Sequence, residues 1–314
     1  MIPRIVVTID TETFRVGGKV LPFNTHHYAD LPDGSYGVQR IMNLCDEYGA
    51  KATFFVDVYM HHQYGEAQVE GLCTRIDRAG HDVQLHVHTS WIPGAHSGLL
   101  CDFPLDSQIT ILSEGRDLIQ KWIGKTPRGF RAGAYSANLD TIRALKETGF
   151  RLDSSYFPLN RNCELARQIQ TPCINNPFYI DGIFELPVTT YWLWNHLSFK
   201  KNSKLDVNAC SGRELRNAML EFSKSSLEYV VVFLHSFSFV RWDKNGENLS
   251  PNSGPLRRFE TLLKLIRNDL GGKFATVAEI CAQPARNMEP SADYVPSLSS
   301  FNMLPRILSR FSYQ

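Results

Sequence analysis

The sequence predicts an α/β fold, a distorted or incomplete (β/α) barrel, on three observations. Apolar runs such as Ile5–Ile9, Ala52–Val56 and Tyr229–Leu234 have the composition of strands buried on both faces of a parallel sheet. Stretches with helical spacing separate these runs, which implies βαβ units. Acids and histidines gather where the runs end, at the strand termini where barrels build their sites. With 314 residues and 43% hydrophobic content, the chain is long enough for one large core.

The elements follow in order. The first strand, Ile5–Ile9, ends in Asp10 and Glu12, and residues 16–36, including the pair His26–His27, read as loop. Gly37–Tyr48 places Val38, Ile41, Met42 and Cys45 on one helical face ahead of the Ala52–Val56 strand. Ala67–Arg78 is a helix that Gly80 stops. Gly80–His88 alternates polar residues at 82, 84, 86 and 88 with apolar ones at 83, 85 and 87. That is a strand, and it sends His86 and His88 from the same face. Helices at Asp106–Trp122 and Leu139–Thr148 bracket a strand at Gly129–Arg131, and Phe150–Asp153 continues the sheet. Residues 156–182, rich in Asn, Pro and Cys, read as a lid or substrate wall. Arg213–Ser223 and Arg257–Leu270 are helical, leading into strands at Tyr229–Leu234 and Phe274–Thr276. Barrel residues are expected over 1–283, and 284–314 form a Pro- and Ser-rich extension that either packs on the barrel or binds a partner.

Net charge is +1 with no basic run, so neither nucleic acid nor a membrane surface is an expected partner. No apolar stretch reaches membrane-spanning length. A first strand beginning at Ile5 is read as leaving no room for a signal peptide. Seven cysteines, an odd number with no CxxC pair, look like reduced thiols. The expected location is cytoplasmic.

Paired imidazoles at a strand end suit a divalent metal, and equally a buried strand with hydrogen-bonded histidines. Further strand-end segments are Phe130-Arg131-Ala132-Gly133-Ala134-Tyr135, Leu152-Asp153-Ser154-Ser155, Phe184-Glu185-Leu186-Pro187 and Phe233-Leu234-His235-Ser236. With Asp10-Thr11-Glu12 and His86, these segments in this order resemble the polysaccharide deacetylase (NodB-homology) family, in its Asp-x-Glu branch, up to about residue 281.

The resemblance implies a hydrolase of C–N amide bonds that removes an N-acetyl group from a sugar with the help of a divalent metal, expected to be zinc. Asp10 would be the general base, paired with Arg131, and His235 the general acid. Glu12 would be a metal ligand, though its position also suits a solvated loop acid. His86 matches the first histidine of the family's His-Ser/Thr-x-x-His motif, but position 90 is Ser where the second is expected. His88 would replace the missing ligand, or His96 would fold back into the site, or the metal would bind weakly or not at all. Gly133 would allow close backbone approach, and the backbone near Tyr135 would help hold the oxyanion. Asp153 would either orient His235 or cap the turn at Ser154–Ser155. Trp192 and Trp194, with Tyr191, are candidates for stacking on sugar or for packing at the barrel edge. Adjacent residues on an extended chain point opposite ways, so His26–His27 and His61–His62 are poor two-ligand sites. The expected substrate is an N-acetylated cytosolic glycan precursor or oligosaccharide in glycoconjugate or surface-polysaccharide metabolism. Alternatives are a metal-independent, allantoinase-like amide hydrolase and a carbohydrate-binding protein without catalysis.

Overall fold

The structure is a computed structural model that describes residues 2–169, 173–196, 199–284 and 293–298; the side chains of 194–201 lie outside the described set. Its main sheet has eight strands. They are β1 (Arg4–Thr11), β2 (Thr53–Asp57), β3 (Asp82–Val87), β4 (Gly129–Ala132), β5 (Leu152–Asp153), β6 (Phe178–Ile180), β7 (Ile183–Glu185) and, after the hairpin β8 (Thr190–His196) and β9 (Phe199–Lys204), β10 (Tyr229–His235). Their order is β6-β7-β5-β4-β3-β2-β1-β10. Every neighbouring pair is parallel except β6–β7.

Side chains along β1 sort with a period of two, as a pleated strand requires. Ile5, Val7 and Ile9 enter the large core under the helices, whereas Val6 joins a smaller inner cluster with Phe55, Leu152, Phe184, Val231 and Val277. Thr8 and Asp10 continue the inward row. Helices α1 (Val38–Glu47), α2 (Glu66–Arg78), α3 (Leu105–Ile123), α4 (Leu139–Glu147) and α5 (Gly212–Phe222) fall within a residue or two of their predicted spans. Helix α6 (Ser253–Lys264) begins four residues earlier than Arg257. Its Pro255 lies in the first turn, where a missing N–H costs nothing. The expected strand Phe274–Thr276 shrinks to one bridge, Ile5 to Phe274, because Thr276 caps the short helix α7 (Val277–Cys281). Val277 of that helix plugs the bottom of the barrel, and a Cβ on Gly129 would lie 2.2 Å from it.

The barrel is incomplete, as expected. Between β10 and β7, irregular backbone bridges the gap. Thr189 accepts from the Leu205 N–H (2.9 Å), while its hydroxyl oxygen accepts from the Val231 N–H (2.8 Å). Phe233 donates to the Leu205 carbonyl (3.0 Å) and accepts from Val207 (3.0 Å). This seam brings Lys204, at the end of β9, to the rim.

Of the C-terminal extension, residues 285–292 and 299–314 lie outside the described residues. The described piece packs. Trp192 exchanges backbone hydrogen bonds with Pro296 and Leu298 (both 2.8 Å), so this segment pairs with β8. The Asp293 carboxylate accepts from three consecutive N–H groups, those of Ile174 (2.8 Å), Asn175 (3.0 Å) and Asn176 (2.9 Å). Bonds to an ionised acceptor are the stronger kind. Asp293→Ala is expected to lower unfolding stability by about 2–4 kcal/mol, read by urea denaturation; a shift below 0.5 kcal/mol, roughly the surface-substitution range, would mean the contact is idle.

Candidate active site and metal centre

Register places the site. Asp10 lies beside His235, Asp57 beside His86, and His86 beside Arg131, all at the C-terminal ends of adjacent strands. Arg131 is fully buried. Its guanidinium donates to Asp10 Oδ1 (2.7 Å), Thr8 Oγ1 (3.1 Å), the Ser154 carbonyl (3.1 Å) and Ser154 Oγ (3.0 Å), and it sits 4.4 Å over the Phe55 ring. Burial raises the Asp10 pKa, but the charge of Arg131, helped by His86, outweighs burial and holds the carboxyl below its usual value. The expected pairing of Asp10 with Arg131 is thus present in the geometry.

Glu12 is the hub of the imidazoles. His86 Nε2 approaches Glu12 Oε2 at 3.1 Å, His88 Nε2 contacts the same oxygen, and His235 Nε2 lies 3.5 Å from Oε1. The Arg131 carbonyl, 2.7 Å from His86 Nδ1, fixes the ring so that Nε2 faces Glu12. Ligand atoms of Glu12, His86 and His88 all fall within 4.8 Å of one another. Two imidazoles and a carboxylate form a donor set that suits zinc and similar divalent ions. Asp57, at the end of β2, borders the set. It is fully buried, its Oδ1 accepts from the Tyr59 N–H (3.2 Å), and its Oδ2 has no hydrogen-bond partner. Burial pushes its pKa up to about 6 against the pull of His88 and His86. A buried carboxylate oxygen left unpaired beside two imidazoles favours added positive charge, so the residues present fit a divalent cation.

Of the three possibilities for the missing ligand, the geometry brings in His88. His96 is exposed, with Nε2 3.3 Å from the Asp102 carbonyl and its ring against Phe103. Gly133 gives His88 room: a Cβ there would lie 2.6 Å from the Val87 carbonyl oxygen and 2.7 Å from His88 Cε1. Ala134 and Tyr135, which follow, both have left-handed φ (53° and 59°), an uncommon turn that folds back over the site. Tyr135 Oη accepts from Lys204 Nζ (3.0 Å), and that ammonium also pairs with Asp206 (3.4 Å) and caps the Phe233 ring at 3.4 Å.

Asp153 takes the turn-capping alternative, and Trp192 stands apart from the site. Asp153 lies in register with Phe130, which faces the outer core, and so points away from His235. Its Oδ1 accepts from the Ser155 N–H (3.1 Å) and hydroxyl (2.5 Å), the turn-capping alternative. Burial raises its pKa to about 6, and the adjoining, fully buried Glu185 is raised further. Trp192 belongs to the β8 hairpin, paired through its backbone with the C-terminal segment, and no described contact joins it to the site; the Trp194 side chain lies outside the described residues. Two site residues escaped the sequence reading. Asp57 carries the same signal as Asp10, an acid closing an apolar run. Lys204 sits in a polar stretch and carries no signal.

Residues 27–152 match the family model described as polysaccharide deacetylase, a span that contains His86, His88 and Arg131 but not Asp10, Glu12 or His235. The resemblance drawn from the motifs stands, and members of that family are hydrolases of N-acetyl amide bonds. A Mycobacterium smegmatis protein described as a polysaccharide deacetylase superposes with a TM-score of 0.53 at 21% identity, covering 82% of each chain, which shows the fold. A family 4 carbohydrate esterase from Streptomyces lividans, in complex with acetate, gives 0.43 at 13% identity (85% of this chain, 90% of the other). A family 4 pseudoenzyme from Bacillus anthracis gives 0.48 at 12% identity (88% and 65%). No curated protein matches the sequence significantly.

Two outcomes follow for metal binding. His88→Ala is expected to weaken zinc affinity at least about 100-fold while His96→Ala leaves it unchanged, read by competition with a chromophoric chelator. Burial lowers the His88 pKa, but the charge and hydrogen bond of Glu12 raise it to about 9. Zinc must displace that proton, so apparent affinity should climb with pH up to about 9 and level off above it, each ion releasing a proton on binding. Calorimetry in buffers of different ionisation enthalpy detects the release; a flat profile between pH 6 and about 9 would count against His88 as a ligand.

Proposed function

We propose that this polysaccharide deacetylase relative is a metal-dependent hydrolase that removes an N-acetyl group from a sugar and releases acetate. The observation that carries this reading is the convergence of Asp10, Glu12, His86, His88, Arg131 and His235 at neighbouring strand ends. A binding protein needs no such acid–base set.

Glu12, His86 and His88 would hold the cation, which when bound supplies Lewis-acid stabilisation of charge on the amide oxygen. Asp10, held ionised by Arg131, takes the proton of the attacking water. Its lowered pKa makes it a modest base that is in the correct form at neutral pH. His235, on the opposite side of Glu12 from the His86–His88 pair's shared oxygen, hands a proton to the departing amine. Burial lowers its pKa, and Lys204 adds to that, while the Glu12 charge opposes, so the protonated form is the minor one at neutral pH but a strong donor when present. The turn at Ala134–Tyr135, braced by Lys204, walls the side where the oxyanion develops.

Cys45, Cys73, Cys101, Cys163 and Cys281 are free thiols, all but Cys101 buried, which supports a reducing compartment and hence an intracellular glycan precursor or oligosaccharide as substrate. Among the described residues no helix is long and apolar enough to cross a membrane.

Acetate release from N-acetylated sugars tests the proposal. Asp10→Asn and His235→Ala are each expected to lower kcat by about 10²–10⁴-fold, and exhaustive chelation should abolish turnover until zinc is restored. Full activity after chelation would overturn the metal-dependent reading. Hydrolysis of a small cyclic amide, with none of N-acetyl sugars, would select the amide hydrolase instead.

A further inference from the structure

The hydrolytic set leaves an aromatic wall beside it unexplained. Phe14, two residues beyond Glu12, is 38% exposed, and only Ile2 and Leu159 share that condition among the described large apolar side chains. Its ring packs on Phe237 (4.7 Å between centroids), on Trp242 (5.3 Å, edge to face) and on His26 (5.1 Å, edge to face). Phe237 in turn lies almost parallel to His235, 16° apart at 4.9 Å. An unbroken run of rings therefore leads from His235 outward to the exposed face of Phe14.

The wall is built rather than incidental. Trp242 comes from a separate hairpin, Val240–Trp242 paired with Leu249–Pro251. That hairpin is tied to the loop after Phe14 by close packing of Gly246 on Leu21 and Val16, and by the Lys19–Glu247 ion pair (3.5 Å). Its surroundings limit what can bind. Exposed Arg15, Lys19, Lys244 and Glu247 belong to the two segments that carry Phe14 and Trp242, and the apolar strip is a single aromatic face, too small for an acyl chain. The C–H face of a pyranose, with hydroxyls at its edge, matches both the ring and the polar segments that carry it. Phe237 stands between Phe14 and His235, so a sugar seated on Phe14 is displaced by one ring from the reacting amide.

We propose that Phe14, backed by Phe237 and Trp242, is a stacking subsite for a second pyranose, next to the sugar that is deacetylated. The identity of the neighbouring sugar rests on the deacetylase reading; the stacking subsite does not.

The test compares N,N′-diacetylchitobiose with N-acetylglucosamine, using wild type, Phe14→Ala and Phe14→Trp. Wild type should favour the disaccharide in kcat/KM. Phe14→Ala should lower the ratio of disaccharide to monosaccharide kcat/KM by about tenfold, through the disaccharide's KM, and Phe14→Trp should restore it. A ratio unmoved by Phe14→Ala overturns the subsite while leaving the deacetylase reading intact. Absence of acetate release from both sugars would sink the deacetylase reading, and saturation-transfer NMR with the disaccharide then decides the subsite. Transfer in wild type that is lost in Phe14→Ala sustains it; transfer equal in both proteins, or absent from both, overturns it.

Discussion

The buried ion pair between Arg131 and Asp10 is the constraint on which the site depends. Moving a guanidinium out of water costs several kcal/mol, which is recovered only when its donors are met. Here Asp10, Thr8 and Ser154 take four of its hydrogen bonds while Phe55 covers its face. Those partners belong to β1, to the turn after β5 and to β2, so the pair ties three parts of the sheet at one depth. The same residue's carbonyl orients His86. One side chain and its own backbone thus set the tilt of the base and of a metal ligand together.

Glu12 does a second kind of work. Three imidazoles converge on its two oxygens. Around them stand two further carboxyls, one with a buried free oxygen. The local surplus of acceptors is balanced among the described residues by Arg131, by a protonated His88 and, at the rim, by Lys204. That arrangement can exchange a proton on His88 for a doubly charged ion at little electrostatic cost, because the carboxylates already face inward.

Much of this could be read from the chain because strands have a period of two. Once Ile5, Val7 and Ile9 are assigned outward, Asp10 must face inward, and the same parity joins His86 to His88. Asp57 obeys the identical rule, one residue on from Val56 at the end of its apolar run. Asp153 is different. Its strand is two residues long, too short to anchor a parity, and only the register with Phe130 settles which way it points. Lys204 and the Phe14–Trp242 contact are long-range products of the hairpins and the irregular seam, and no local pattern encodes where a hairpin tip will land. Trp192 reads in sequence as either a sugar platform or barrel-edge packing, and its place is fixed by a backbone pairing with residues more than one hundred positions away.

That pairing bears on how the chain can be divided. The last strand-end motif closes with β10, and a protein trimmed after α7 would keep every proposed catalytic group. It would also lose Asp293, leaving the 174–176 amides without their acceptor, and would lose the segment that completes the backbone bonding of Trp192. What remains is a bare sheet edge next to an uncapped loop, the kind of surface on which strands from other molecules add. Residues 293–298 in this sense cover a strand edge and cap a loop, so what trimming removes is protection of a surface and not a proposed catalytic group.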